Sequence, residues 1–299
     1  MSDVRRAQTP RSVRDAYELT LPNGGKLRLG GDRRVCVMGI LNVTPDSFSD
    51  GGMFLDVSKA VAHAEEMAGE GADVIDIGGE STRPGAEFLS EAEQAARVMP
   101  VIRRLAPRLR TPISIDTTSA GVARQALDAG AQIVNDISAL RQDAAMAPLV
   151  AERGAPVVLM HMQGQPRDMQ EKPFYRDVVA EVRDFLAGRI AWAVEQGIAQ
   201  EQIIVDPGFG FGKNFEHNMA LLRHLDALRS LSRPILVGTS RKGMLGHILG
   251  VPPAERVFGT AATVAAAAER GAAIVRVHDL RCAVHVVKVM AAIQGKAWN

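Results

Sequence analysis

The sequence predicts a (β/α)8 (TIM) barrel, on three observations. Eight short apolar runs each stop abruptly at a polar or charged side chain, and room for a helix separates successive runs in nearly every case. A glycine-led phrase also returns along the chain, as Gly71-Ala72-Asp73-Val74-Ile75, Gly130-Ala131-Gln132-Ile133-Val134, Gly154-Ala155-Pro156-Val157-Val158 and Gly271-Ala272-Ala273-Ile274-Val275. Buried strands alternating with helices, several of which stop at glycine, describe a parallel barrel whose chemistry sits where the strands end.

Taken in order, residues 1–14 are polar, rich in Arg and without periodicity, and read as a disordered leader ahead of one domain over 15–299. Tyr17–Leu21 and Lys26–Leu29 flank Asn23-Gly24-Gly25, a turn that permits positive φ, and predict a β-hairpin covering the bottom of the barrel. The eight runs are Cys36–Leu41 into Asn42, Val74–Gly79 into Glu80, Ile113–Ile115 into Asp116, and Ile133–Val134 into Asn135 and Asp136. They continue as Val157–Met160 into His161, Ile203–Val205 into Asp206, Ile235–Thr239 into Ser240, and Ile274–Val277 into His278. Helices are expected at 57–70, 91–108, 119–129, 144–153, 175–197, 218–230, 253–270 and 280–293. Two long loops, 42–56 and 80–90, are rich in Pro, Gly, Ser and Asp and are candidates for a lid over a substrate.

Composition narrows the function classes. With 299 residues, 46% of them hydrophobic, the chain can bury a large core, though aromatics make up only 4%. The 35 basic and 34 acidic residues leave a net charge of +1, so no global field favours nucleic acid or an anionic membrane. Any anion must be held by a local arrangement. Cys36 and Cys282 are the only cysteines and read as core thiols, with no disulfide framework or zinc spacing. No stretch has transmembrane length and no signal-peptide pattern opens the chain, so a cytoplasmic protein is expected.

The strand ends carry the chemistry. In Arg276-Val277-His278, alternation points Arg276 and His278 to the same side, toward the barrel mouth, where two such groups invite an anion. The plainer reading is that Arg276 pairs with a neighbouring carboxylate and His278 satisfies a backbone carbonyl. Ser240-Arg241-Lys242 ends the seventh run and could add Lys242 to that site. Asp116, Asn135 and Asp206 end three other runs and suit the edge of a heterocycle with several N–H donors, such as a pterin or guanine-like ring. Equally, they could form a salt-bridge network with Lys242, Lys213 or Arg241, since a buried carboxylate needs a partner. Asp206-Pro207-Gly208-Phe209-Gly210-Phe211-Gly212-Lys213 fails the P-loop pattern and reads as a flexible glycine-rich loop presenting Phe209 and Phe211 to an aromatic ligand. Lys213, His217 and Asn218 look like the start of a helix. Met160 and His161 line the pocket or react in it.

These segments together resemble the dihydropteroate synthases, the folate-pathway enzymes that sulfonamides target. The matching phrases are Gly39-Ile40-Leu41-Asn42-Val43-Thr44-Pro45-Asp46-Ser47-Phe48-Ser49-Asp50-Gly51-Gly52 and Asp76-Ile77-Gly78-Gly79-Glu80-Ser81-Thr82-Arg83-Pro84-Gly85. Further matches are Ser114-Ile115-Asp116, Asn135-Asp136-Ile137, Met160-His161-Met162, the Asp206–Lys213 loop, Ser240-Arg241-Lys242, and Arg276-Val277-His278-Asp279. They run in order over nearly the whole barrel. The resemblance implies condensation of 6-hydroxymethyl-7,8-dihydropterin pyrophosphate with 4-aminobenzoate to 7,8-dihydropteroate and pyrophosphate. It implies pterin ligands at Asp116, Asn135 and Asp206, with Met160 and Lys242 beside the ring. It also implies a pyrophosphate site at Asn42, Arg276 and His278, with Asn42 helping to hold Mg2+. Closing loops and an aminobenzoate pocket are implied at Phe48, Thr82, Arg83, Pro84 and Phe211, so that Arg83, Lys242, Arg276 and His278 form the catalytic set. A homodimer through outer helices is implied too. Gly243 departs from the pattern: some members carry a serine there whose hydroxyl meets the aminobenzoate carboxylate.

Two rivals share the fold. A pterin-binding methyltransferase passing a methyl group to a corrinoid would have no pyrophosphate for Arg276 and His278 to hold. A non-catalytic pterin-binding paralogue would not need Arg83, Lys242, Arg276 and His278, all of which are present.

Overall fold

Parallel strands that are largely apolar on both faces must be covered on both faces. The computed structural model does this with a ring of eight parallel strands inside a shell of helices. It describes residues 16–43, 52–80, 89–165 and 168–298, with side chains from residue 57 in the second span. An antiparallel pair, β1 (Ala16–Thr20) and β2 (Lys26–Gly30), precedes the ring. The barrel strands are β3 (Cys36–Asn42), β4 (Val74–Gly78), β5 (Ile113–Asp116), β6 (Ile133–Asp136), β7 (Val157–Met160), β8 (Ile203–Asp206), β9 (Leu236–Val237) and β10 (Ile274–Val277). They neighbour one another in the order β8-β7-β6-β5-β4-β3-β10-β9. The ring closes between β8 and β9 through the bridge Val205–Ile235 and a 3.0 Å bond from the Val205 amide to Pro234 O.

Period-two alternation sorts the strand residues. Outward-facing Val37, Leu41, Ile75, Ile77, Ile113, Ile115, Val134 and Val157 join one core with the helices, as do their counterparts on β8, β9 and β10. Inward-facing Met38, Val74, Ile133, Val158, Ile204, Leu236 and Ile274 form a second cluster with Leu19, Leu21, Leu27 and Leu29 of the hairpin. The hairpin therefore covers the bottom of the barrel, as the sequence predicts. Leu19 and Leu29 are fully buried there, each contributing about 2 kcal/mol. Gln202 ties the hairpin down: its side chain accepts from the Thr20 amide at 3.1 Å and donates to Thr20 O at 2.6 Å and Gly154 O at 2.8 Å.

The helices are α1 (Gly52–Glu70), α2 (Glu91–Leu105), α3 (Ala120–Asp128), α4 (Met146–Arg153), α5 (Val178–Glu195), α6 (Phe215–Arg223), α7 (Gly243–Leu249), α8 (Val257–Glu269) and α9 (Leu280–Ile293). Local chemistry sets their ends: Ser90 and Glu93 form a reciprocal capping box on α2, Asp177 caps α5, and α4 stops at Gly154 with φ 58°. Three expectations are corrected. α7 follows the seventh strand, where no helix is expected, because Gly243 and Gly246 weaken its signal. The helix expected over 218–230 starts earlier, at Asn214, whose side chain caps α6, and gives way to a 3-10 segment at Leu225–Leu231. β9 has two residues instead of five. The expected leader lies outside the described residues, as do most of the two expected lid loops.

Candidate active site

Two residues above each of several bottom-layer side chains stands a polar one on the same inward face. Val74 is followed by Asp76, Ile133 by Asn135, Ile204 by Asp206 and Ile274 by Arg276. The floor of the barrel is thus apolar and its upper half polar, which confines ionisable groups to the mouth.

Arg276 is the hub. Its Nε donates to Asp76 Oδ2 at 2.6 Å and its Nη2 to Asp116 Oδ2 at 2.6 Å. Asn135 Nδ2 donates to the same Asp76 oxygen at 3.0 Å. Asp76 is fully buried, and its Oδ1, like Oγ of its register partner Ser114, has no hydrogen-bond partner among the described residues. Burial pushes the Asp116 carboxyl up to about 7 against the opposing pull of Arg276. Asp206, also buried, is pushed up to about 6, while a 2.7 Å bond from the Gly208 amide to its Oδ1 works the other way. Burial lowers Lys242 to about 8, assisted by Arg276 and opposed by Asp206 and Asp116. Its Nζ lies 4.3 Å from the centre of the Phe211 ring. Three carboxylates and two cations are therefore held together, with Asp116 and Asp206 near the point of taking up a proton.

His278 is not the cation that its place beside Arg276 invites. Burial first, then Arg241 and Arg276, lower it to about 4, so it is neutral near pH 7. Ser240 Oγ accepts from the His278 amide at 3.1 Å and lies 3.0 Å from Nδ1. The hydroxyl keeps a second lone pair, so the contact fits either ring tautomer; when it donates to Nδ1 the ring proton lies on Nε2. Arg241 is not a solvated loop residue: its guanidinium pairs with both oxygens of Asp279, and its backbone, at φ 57°, turns the chain toward Lys242. Arg256 holds this turn by donating to Arg241 O at 3.0 Å and Lys242 O at 3.3 Å.

The glycine-rich loop is pinned, contrary to the flexible reading. Lys213 is buried, with Nζ 2.9 Å from His161 Nδ1, 3.0 Å from Gly208 O and 3.0 Å from Phe211 O. Burial lowers it to about 7. Gly208 has φ +68°, and a Cβ there would meet His161 O at 1.9 Å, so only glycine fits. Of the two loop aromatics, Phe211 joins Met160, Met162 and Met169 in a cluster at the mouth, whereas Phe209 packs in the main core and faces no ligand. Asp136, next to Asn135, turns away to accept from the amides of Ser138 and Leu140.

Of the expected site residues, Asp116, Asn135, Met160, Asp206, Phe211, Lys242, Gly243, Arg276, His278 and Asn42 all lie at or beyond the strand ends on the mouth side. Phe48, Thr82, Arg83 and Pro84 lie outside the described residues. The expectation missed Asp76, although an aspartate in the middle of Val74-Ile75-Asp76-Ile77-Gly78 is the signal that could have found it. Among the described residues no group of three or more His, Cys, Asp or Glu could cage a metal. The Asn42 carboxamide, at the mouth end of β3, is a hard oxygen donor of the kind that shares Mg2+ with phosphate.

Residues 38–278 match the model of a family described as pterin binding enzyme. The dihydropteroate synthase of Synechocystis is 48% identical over 280 residues, covering 93% of this chain and 96% of that protein. A solved structure of the Xanthomonas albilineans dihydropteroate synthase with 4-aminobenzoic acid aligns at a TM-score of 0.87 and 48% identity, over 93% of this chain and 98% of that one. Another from that organism, in complex with 7,8-dihydropteroate, aligns at 0.83 and 44%, over 93% and 98%.

Proposed function

This chain belongs to the dihydropteroate synthase family of pterin binding enzymes, and from that membership we propose how its own residues perform the condensation of 6-hydroxymethyl-7,8-dihydropterin pyrophosphate with 4-aminobenzoate. The product, 7,8-dihydropteroate, places the protein in folate biosynthesis. The observation that carries the reading is the inward-facing set Asp116, Asn135, Asp206, Lys242 and Arg276, closed off from below by an apolar floor. Carboxylates poised near neutrality accept the N–H groups of a pterin edge, and an amide between them can both donate and accept. Met160 and Phe211 give the ring an apolar wall, with the Lys242 cation beside it.

Arg276 already spends Nε and Nη2 on Asp76 and Asp116, so a phosphate oxygen meets its remaining Nη1 or takes the place of Asp116. His278 offers Nε2–H, and the negative charge of bound pyrophosphate raises its basicity back toward the ordinary range. Asn42 would hold Mg2+ beside the same oxygens; the ion, when bound, neutralises leaving-group charge. The bond from the pterin methylene to pyrophosphate oxygen breaks, the aminobenzoate nitrogen bonds to that carbon, and the nitrogen gives up a proton. No protein nucleophile is required. The residues' work is leaving-group stabilisation, alignment and exclusion of water, to which the family resemblance adds Phe48, Thr82, Arg83 and Pro84 as substrate contacts. Gly243 has open space around its Cβ position, and its backbone N–H is the donor assigned to aminobenzoate's carboxylate in this reading.

We further propose a homodimer, supported by exposed Ile248, Leu249, Phe258, Val289 and Ile293 on α7, α8 and α9. Cytoplasmic residence is supported by two free cysteines, and no described helix is long and apolar enough to cross a membrane.

The test is pyrophosphate release by the purified protein with dihydropterin pyrophosphate and Mg2+, with and without 4-aminobenzoate. Release with formation of dihydropteroate only when aminobenzoate is present is the expected result. Tight pterin binding without release would instead point to a binding paralogue.

A further inference from the structure

The end of the barrel opposite the reaction holds a second concavity. Between β2 and the start of β3 lies a cavity of about 300 Å³, lined by Lys26, Leu27, Arg28, Arg33, Arg34, Cys36 and Asp73. Four cations face one carboxylate in that lining, and the carboxylate is already committed. Asp73 takes Arg34 Nη1 at 2.6 Å, Arg34 Nη2 at 3.0 Å and the Val37 amide at 2.7 Å. Just outside the lining, Glu18 is shared by Lys26 at 3.1 Å and Arg28 at 2.9 Å. Beneath the lining, Arg34 Nε is buried and has no hydrogen-bond partner among the described residues. Arg34 is rigidly placed, since Nη1 also reaches Val35 O at 3.2 Å and its side chain is only 14% exposed. Arg33 stands at the rim, fixed by the pairing of its backbone with Ala297.

We propose that this cavity is a binding site for a small phosphoryl oxyanion, of the class of inorganic phosphate or pyrophosphate. Its volume is at the lower limit of ligand pockets, and its lining of cations suits a compact, highly charged ligand. Guanidinium forks match the oxygens of a carboxylate or phosphoryl group, and the excess of cations over carboxylates in the lining favours the more highly charged phosphoryl ligand. Lys26 and Arg28 belong to the hairpin, whereas Arg34 belongs to the segment leading into β3. A bound anion therefore joins the hairpin to the barrel and stabilises the closed end without taking part in the reaction.

The experiment is equilibrium dialysis of the full chain against labelled inorganic phosphate, repeated with pyrophosphate, alongside thermal midpoints at rising anion concentration. Wild type, Arg33→Glu and His278→Ala are compared. Arg33 is exposed, so its replacement leaves the core intact; Arg33→Gln serves as the milder control. The expected result is a midpoint that rises with phosphate in wild type and His278→Ala, with at least tenfold weaker binding in Arg33→Glu. The ratio of the phosphate and pyrophosphate affinities identifies which anion the cavity prefers. Equal binding and equal midpoint shifts in wild type and Arg33→Glu would overturn the proposal, as would phosphate binding that disappears only in His278→Ala.

Discussion

Arg276 neutralises two buried carboxylates at once, and that double duty sets what its removal does. In Arg276→Ala, Asp76 and Asp116 lose their 2.6 Å partners. Breaking a buried ion pair on one side costs roughly 3–5 kcal/mol. Turnover is expected to be abolished, as the sequence resemblance implies. Pterin affinity falls too, because Asp116 loses the cation that favours its charged form. Urea denaturation and pterin titration of the variant check both. His278 governs a different axis. Its ring is lowered to about 4 from an ordinary 6.5, so it contributes stability above pH 6.5 that is lost as the pH falls through 4. Asp116 and Asp206 are raised to about 7 and about 6, so their contribution is present below their ordinary range and lost as the pH rises through those values. The two trends oppose each other between pH 4 and 6.5. His278→Gln removes one of them, and its thermal midpoint relative to wild type is expected to climb as the pH drops from 6.5 to 4. At this scale the sequence named the ends of the strands well, because a polar residue that stops an apolar run is visible. It could not show that Asp76 completes the Arg276 pair, since that contact joins residues 200 apart.

At the scale of elements, period-two alternation made the strands legible, and the same alternation separated the outward core from the inward site. What stayed hidden were features set by tertiary contacts. α7 is a seven-residue helix containing two glycines. β9 has only two ladder residues, Leu236 and Val237. The Asp206–Lys213 loop looked mobile from its glycines, yet a buried lysine gathers its carbonyls inward. Lys213→Ala leaves Gly208 O, Phe211 O and His161 Nδ1 without their partner. Each unmet buried acceptor costs about 1–3 kcal/mol. The expected outcome is a loss of roughly 3 kcal/mol by urea denaturation, with weaker pterin binding because Phe211 and Lys242 lose their support. Unchanged stability would show that the loop carries its own conformation.

For the whole molecule, the barrel and its bottom cover were predictable from the repeated strand-and-helix rhythm and the Asn23-Gly24-Gly25 turn. Quaternary structure was not, because exposed apolar side chains are individually ordinary and only their clustering has meaning. Phe258 is 83% exposed and Ile293 is 73% exposed, on two helices that pack together. Phe258→Glu is expected to convert the proposed dimer to a monomer in size-exclusion chromatography with light scattering while leaving the monomer folded. A dimer that survives the change would move the interface elsewhere.

The C-terminal end of the described chain meets the segment that leads into the barrel. Ala297 pairs with the backbone of Asp32 and Arg34 just ahead of β3, and β3 lies directly beside β10. The ring is at its thinnest elsewhere, at the β8–β9 seam, where the bridge Val205–Ile235 stands in for a ladder. The point at which the chain enters the ring is therefore not the point at which the barrel is weakest. Geometrically the strands form a circle with no privileged first member, and the gene could have opened that circle between β8 and β9 without separating Arg276 from Asp76 and Asp116.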